Sequence, residues 1–175
     1  KAQAIDNKRG PFVIAYSNVK RYGKSDKITV KLSDGIREID DDTDVVVIAG
    51  MGGDLISKIL LKDDKKQVKR FILQPNKKTE DIRRILKEIK YKIVDEIVFE
   101  DQKKIYDIMV IEPGDEDLSE NEILFGPVNI VRKPHFFVER LTRERDYLKL
   151  VISNIEHDDE KANLVKRLSQ IEEVL

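Results

Sequence analysis

The sequence has 175 residues, 40% of them hydrophobic and 38% charged, with a formal net charge of -1 and no cysteine. That apolar share can bury one core of ordinary size, and the missing cysteines exclude a disulfide framework, thiolate metal sites and cysteine nucleophiles and suit a reducing cytoplasm. The near-neutral balance excludes a globally basic nucleic-acid signature, and apolar runs such as Val45–Ala49 and Phe136–Val138 fall far short of the roughly 20 residues needed to cross a bilayer.

Ala2–Asp6 reads as a short strand ending on an acid. Gly10-Pro11 follows, with Phe12, Tyr16 and Val19 at helical spacing, which predicts a helix that Gly23 closes. Ile28, Val30 and Leu32 alternate with polar residues as a second strand, and Ser33-Asp34-Gly35 is its turn. Asp44–Ala49 is an unbroken run of the kind buried on both faces in parallel sheets; it ends in Gly50-Met51-Gly52-Gly53 before a helical stretch, Leu55–Leu61. Phe71–Leu73 is a further strand, ending in Gln74-Pro75-Asn76. Beyond it Ile82, Ile85, Leu86 and Ile89 mark an amphipathic helix, with Thr79 as its expected cap.

After Lys92 the rhythm changes. Ile93–Phe99 and Ile105–Ile111 are separated by a polar stretch too short for a crossover helix, so they are expected to pair antiparallel. Residues 113–134 read as an acidic, loop-like connection broken at Gly114 and Gly126-Pro127. Phe137, Leu141, Leu148, Ile152 and Ile155, then Leu164, Leu168, Ile171 and Leu175, predict a helical hairpin, an antiparallel coiled coil turning at His157-Asp158-Asp159. The expected organisation is α/β: a doubly wound sheet over residues 1–112, a connection over 113–134 and the hairpin over 135–175. Sheets of this kind bind ligands outside the carboxyl ends of their strands, where Asp6, Asp34, Gly50 and Gln74 fall.

Each of these residues has a functional and a plain reading. Asp6 stands where a nucleotide-type fold sets an acid to accept from two ribose hydroxyls, but solvated strand-end acids are common. Asp34-Gly35 could meet an adenine edge, yet Asp-Gly is also an ordinary turn. Three glycines in Gly50–Gly53 let the backbone approach a ligand closely, although they match neither the phosphate loop nor the GxGxxG spacing. Gln74 and Asn76 can each donate and accept, which suits the edge of a neutral base and positioning rather than proton abstraction; the plain alternative is a turn with Asn76 as a helix cap. His135 and His157 lie in different segments with no cysteine partners, so no metal site or triad is expected. Lysine and arginine cluster at Lys65–Arg70, at Lys77–Lys78 with Arg83–Arg84 and Lys87, and at Arg132–Lys133 with Arg140, Arg143 and Arg145. The second and third would form a phosphate-binding rim if they flank one crevice, and are otherwise a solvated face.

Taken together, AID-x3-GPF, SDG, VVVIAGMGG-x-LI and FILQPN, with the acid-rich segment ending in FGP, resemble the TrmK family of tRNA (adenine-22, N1)-methyltransferases. AGMGG followed by LQPN is more specific than either piece, and the resemblance covers nearly the whole chain. It implies a Rossmann-like class I methyltransferase fold with a C-terminal coiled coil, S-adenosylmethionine as cofactor, tRNA as partner, and no metal. It matches Asp6, with Asn7 beside it, to the acidic ribose ligand, and Asp34-Gly35 to the adenine side of the cofactor. Ala49, Gly50, Met51 and Gly52 match the strand end along its methionine part, and Gln74, Pro75 and Asn76 the stretch near the target adenine, as the catalytic group. Asp54, after the glycines, carries no family role.

The resemblance also implies that the family's first strand, its glycine turn and a Ser-Asp-His-Ala-Tyr segment precede Lys1, so the chain as it stands is expected to lack methyl transfer. A monomer, or a weak dimer through the coiled coil, is expected. The rival readings are a non-catalytic RNA- or protein-binding scaffold with a degenerate methyltransferase fold, and a small-molecule methyltransferase, against which the charged hairpin argues.

Overall fold

In the computed structural model, residues 1–62, 68–155 and 158–175 are described. His157 and part of the Lys65–Arg70 cluster lie outside them. In chain order the elements are β1 (Ala2–Asp6), α1 (Arg9–Arg21), β2 (Ile28–Leu32), β3 (Val45–Met51), α2 (Gly53–Lys62), β4 (Arg70–Pro75), α3 (Thr79–Ile89), β5 (Tyr91–Asp101), β6 (Lys104–Pro113), α4 (Glu120–Phe125), α5 (Pro127–Arg132), α6 (His135–Asn154) and α7 (Asp158–Val174). The α/β alternation is as the apolar periodicity predicts.

The strands form two sheets. β1 and β2 are a parallel pair, with Ala2 opposite Ile28 and Asp6 opposite Leu32. The other sheet runs β3-β4-β6-β5, with β3 parallel to β4 and β6 antiparallel to both β4 and β5. The β5–β6 hairpin closes with Asp101 opposite Lys104, and Gln102 and Lys103 both take positive φ in the turn. Two successive left-handed residues match the twist of the flanking strands, so the hairpin is tight although neither residue is glycine. Among the described residues β1 pairs only with β2 and β3 only with β4, so each leaves one edge unpaired. The Rossmann-like class I sheet is therefore present without the strand that would join β1 to β3.

The main core lies between the four-stranded sheet and the helices α2 and α3. Ile48, Phe71, Leu73, Met109 and Ile111 of the strands meet Ile56 and Leu60 of α2 and Ile82, Leu86 and Ile89 of α3. Tyr91 packs edge-on against Phe71 and donates its hydroxyl to the Val68 carbonyl at 2.8 Å, which satisfies the phenol in an otherwise apolar layer. A second core gathers Val98 of β5, Phe125 of α4, Phe137, Leu141 and Leu148 of α6, and Ile171 and Val174 of α7. The predicted hairpin thus forms, and its root is seated on β5.

Residues 113–134 are not the loop that their breakers suggest, because α4 and α5 occupy much of them. Ser119 caps α4 by accepting from the Glu122 amide while Glu122 returns a bond to the Ser119 amide; this capping box lies in plain view in the sequence. The proposed cap of α3 also differs. Lys78 holds the N-cap position in a left-handed conformation with no side-chain bond, and Thr79 is the first helical residue.

Between the two cores sits a buried ion pair. Arg83 of α3 and Glu96 of β5 have side chains only 3% and 1% exposed. Arg83 donates Nε and Nη2 to Glu96 Oε1 at 3.0 and 2.8 Å, and Nη1 to the Ile123 carbonyl at 3.0 Å. Glu96 Oε2 accepts from the Val128 and Asn129 amides at 3.0 and 3.3 Å. The cation therefore meets carbonyls late in α4 and the anion meets amides at the start of α5. Burial pushes the Glu96 carboxyl upward, and Arg83 and the two amides draw it back. Gly126, at φ 93°, joins α4 to α5 over this carboxylate, and a Cβ there would overlap both of its oxygens.

Removing one partner strands a buried charge, so Arg83→Met is expected to lower stability by about 3–5 kcal/mol in urea unfolding. The double variant Arg83→Met/Glu96→Leu should recover most of that loss. A double variant as unstable as the single one would show that the helix-end bonds, rather than the charges, carry the joint.

Candidate functional site at the carboxyl ends of the strands

β1 and β2 are one parallel pair and β3 and β4 another, so within each pair the carboxyl ends and the loops that follow share one edge. Asp6 ends β1 and accepts the Lys8 amide at 2.7 Å, a short turn that starts α1. Asn7 donates Nδ2 to Asp34 Oδ1 at 3.2 Å and so ties the loop after β1 to the loop after β2. Gly35 follows at φ 65°, a left-handed turn that glycine adopts without strain. A cleft of about 970 Å³ runs between β1 and β3. Ala2, Gln3 and Ile5 line one side and Val45–Ala49 the other, with Asp6, Asn7, Asp34, Gly35 and Met51 also in its wall.

The remaining predicted residues are not part of that wall; Gly50, Gln74, Pro75 and Asn76 are bonded where β3 meets β4. Gly50 takes φ 78°, and both of its backbone groups are held by side chains from the end of β4 and the residue after it. Gln74 Oε1 accepts the Gly50 amide at 3.0 Å, and Asn76 Nδ2 donates to the Gly50 carbonyl at 2.6 Å. The Asn76 amide reaches the Met51 carbonyl at 2.8 Å, and Gln74 Nε2 reaches the Pro75 carbonyl at 3.1 Å. The amides expected to read a base edge are thus engaged first in fixing the backbone of β3. Asn76 is exposed and keeps the second hydrogen of its Nδ2.

The turn into α2 is equally tight. The Gly53 amide donates to the Lys77 carbonyl at 2.9 Å, and a Cβ on Gly53 would overlap the Lys78 carbonyl oxygen. Gly53 is therefore required by packing and Gly50 by its φ. Gly52, which borders Asp54 and Lys77, needs only that a flexible side chain move.

Lys77 and Lys78 apart, the two basic clusters do not form the rim that their spacing suggests, because their other members are already engaged. Arg83 is buried on Glu96. Arg84 pairs with Glu120 and Lys87 with Asp117. In the third cluster Arg132 pairs with Asp95, Arg140 with Asp107, Arg143 with Glu139 and Arg145 with Asp146, and Lys133 donates to the Leu175 carbonyl. Arg143–Glu139 and Arg145–Asp146 are local pairs, but the partners of Arg83, Arg84, Lys87, Arg132, Lys133 and Arg140 come from distant segments, hidden from a reading of local charge. Among the described residues no group of three or more His, Cys, Asp or Glu could hold a metal ion and no helix is long and apolar enough to cross a membrane.

The profile of the family described as TrmK, tRNA (adenine(22)-N(1))-methyltransferase, matches residues 1–175. The chain belongs to the TrmK family. The Bacillus subtilis (strain 168) tRNA (adenine(22)-N(1))-methyltransferase is 34% identical over 155 residues, which are 83% of this chain and 65% of that protein. The chain thus spans a little under two thirds of the length of this TrmK relative. A crystal structure of Streptococcus pneumoniae Sp1610, described as a candidate tRNA (m1A22) methyltransferase, superposes with a TM-score of 0.94 at 34% identity, covering 100% of this chain and 82% of that one. The same Sp1610 in complex with S-adenosyl-L-methionine gives a TM-score of 0.87 at 33% identity, covering 99% of this chain and 79% of that one.

Gly53→Ala is expected to force the α2 and α3 turns apart and to destabilise the fold by about 1–3 kcal/mol in urea unfolding, as overpacking does. Gly52→Ala should cost clearly less, and equal losses would mean that backbone freedom rather than space sets both positions.

Proposed function

We propose that the full-length gene product transfers a methyl group from S-adenosylmethionine to N1 of an adenine in tRNA, adenine 22 by its kinship with TrmK. The observation that carries this reading is the meeting of Asp6, Asn7 and Asp34 from one sheet with Ala49 and Met51 from the other across a single cleft. Asp6 has one carboxylate oxygen committed to Lys8 and the other free of any described partner, which fits a donor diol such as a ribose. The apolar strand ends and the Asp34-Gly35 turn fit the base and the aliphatic part of such a cofactor. Bound there, S-adenosylmethionine would supply an electrophilic methyl group on a sulfonium centre.

The chain's own contribution is orientation. Asn76 and Gln74 hold Gly50 in one conformation, so the strand end beside the cofactor and the exposed Asn76 amide beside the substrate move as one rigid piece. Gln74, Pro75 and Asn76 are the stretch proposed to face the target adenine. No group in it is a strong base, and N1 of a neutral adenine carries a lone pair and no proton to remove. Asn76 is then a hydrogen-bonding and aligning group. Because both edges facing the cleft are unpaired, one further parallel strand can bridge β1 and β3, and the greater length of the relatives accommodates it. We therefore assign activity to the full-length product, in a reducing compartment.

The test is transfer from labelled S-adenosylmethionine to unmodified tRNA by the full-length product, with the modified nucleotide mapped. Label at adenine N1 supports the reading; no transfer to any tRNA in a bulk pool overturns it in favour of a binding scaffold. Asp6→Ala is expected to weaken cofactor binding by about 10- to 100-fold, the worth of a charge-assisted hydrogen bond, in calorimetry with S-adenosylhomocysteine. An unchanged affinity would remove Asp6 from the cofactor site.

A further inference from the structure

We infer that Lys77 and Lys78 are a positioning pair that grips the sugar-phosphate backbone of the nucleic acid beside the base presented to Asn76, an inference that rests on the tRNA reading above. Both are exposed and directly follow Asn76 at the carboxyl edge. Neither makes an ion pair among the described residues, whereas Arg83, Arg84 and Lys87 in the same sequence cluster are each matched by a carboxylate. A polyanion competes poorly for a cation that already has a carboxylate partner, and it can take an unpaired lysine without breaking anything.

The surrounding acids do not cancel the pair. Glu80 and Asp81, in the first turn of α3, bear on Arg84 and raise its pKa together with Glu120. Asp54 and the Lys77 side chain both border Gly52, and no ion pair joins them among the described residues. The arginines of the hairpin are already engaged, since Arg140, Arg143, Arg145 and Arg167 all have carboxylate partners. From His135 to Leu175 nine acids stand against seven bases.

The backbone beneath the lysines is fixed, which separates a positioning role from a loose charge. Gly53 donates to the Lys77 carbonyl at 2.9 Å and packs against the Lys78 carbonyl, and the Asn76 amide is bonded to Met51. A phosphate held by these two side chains therefore lies within a lysine's reach of the Asn76 amide, and phosphate contacts of this type fix register without reading sequence.

The experiment compares the full-length gene product with its K77Q/K78Q and K77R/K78R variants. Binding to unmodified tRNA is followed by anisotropy from about 50 to about 300 mM KCl, where each lost phosphate contact removes close to one unit of the slope of log K against log salt. K77Q/K78Q is expected to lower that slope by about 1.5–2 and to raise the tRNA KM by roughly tenfold or more. Its kcat, S-adenosylhomocysteine affinity and urea midpoint should stay at the wild-type level, and K77R/K78R should bind like wild type. A glutamine variant with an unchanged slope and KM, in an enzyme that still binds and methylates tRNA, would overturn this inference alone. A wild-type product that does not bind tRNA would remove the functional reading and this inference with it.

Discussion

The architecture turns on a constraint at the Arg83–Glu96 pair: two opposite charges taken out of water must find every one of their bonds inside the protein. Arg83 finds Glu96 and the carbonyls of α4, and Glu96 finds Arg83 and the amides of α5. Two helices too short to be stable alone are thereby given fixed positions. Once α4 and α5 are set, the root of α6 is set too, and Phe137 and Leu141 can pack onto the face of β5 that carries Val98. The hairpin is oriented by an electrostatic joint on one side and an apolar one on the other, while Gly126 is the residue that lets the chain cross the joint.

The candidate site follows a similar logic with neutral groups. Gln74 and Asn76 close on the two backbone groups of Gly50, so a left-handed glycine that would otherwise be mobile is held from both sides. Rigidity is obtained there from side-chain amides, which add no net charge near a region proposed to receive a cationic cofactor and to produce a cationic base. Lys77 and Lys78 bring positive charge only to the residues that follow Asn76.

Much of the fold was legible because it is written in local apolar periodicity: the β-branched run at Val45, the i, i+3, i+4, i+7 pattern of α3, and the short connection that forced β5 and β6 into a hairpin. The candidate residues were legible as strand ends, and Asp6, Asn7, Asp34, Gly35, Ala49 and Met51 do share one cleft. What was not legible depends on partners far apart in sequence. Nothing near Arg83 distinguishes it from Arg84, yet one is buried on a carboxylate 13 residues away and the other is exposed on Glu120. Nor does the sequence of Gln74 and Asn76 reveal that their first duty is to the backbone of Gly50. The helices α4 and α5 were hidden by breakers at their junction, although Ser119 and Glu122 form a recognisable start signal.

The unpaired edges of β1 and β3 have a thermodynamic meaning. With no backbone bond between the two sheets among the described residues, the unit of β1, α1 and β2 meets the main core through Ile5 of β1 and through Ile36 and Ile39 of the segment after β2. Helix α1 contributes no buried residue to either core. A block held by few buried apolar contacts opens at lower free energy than a well-packed core, and the strand proposed to bridge β1 and β3 in the full-length product would raise that free energy. A ligand touching Asp6 and Asp34 on one block and Ala49 and Met51 on the other can bind only when both are folded, so its affinity is drawn partly from their cohesion. Ligand occupancy and the folding of the weaker block then become a single coupled equilibrium.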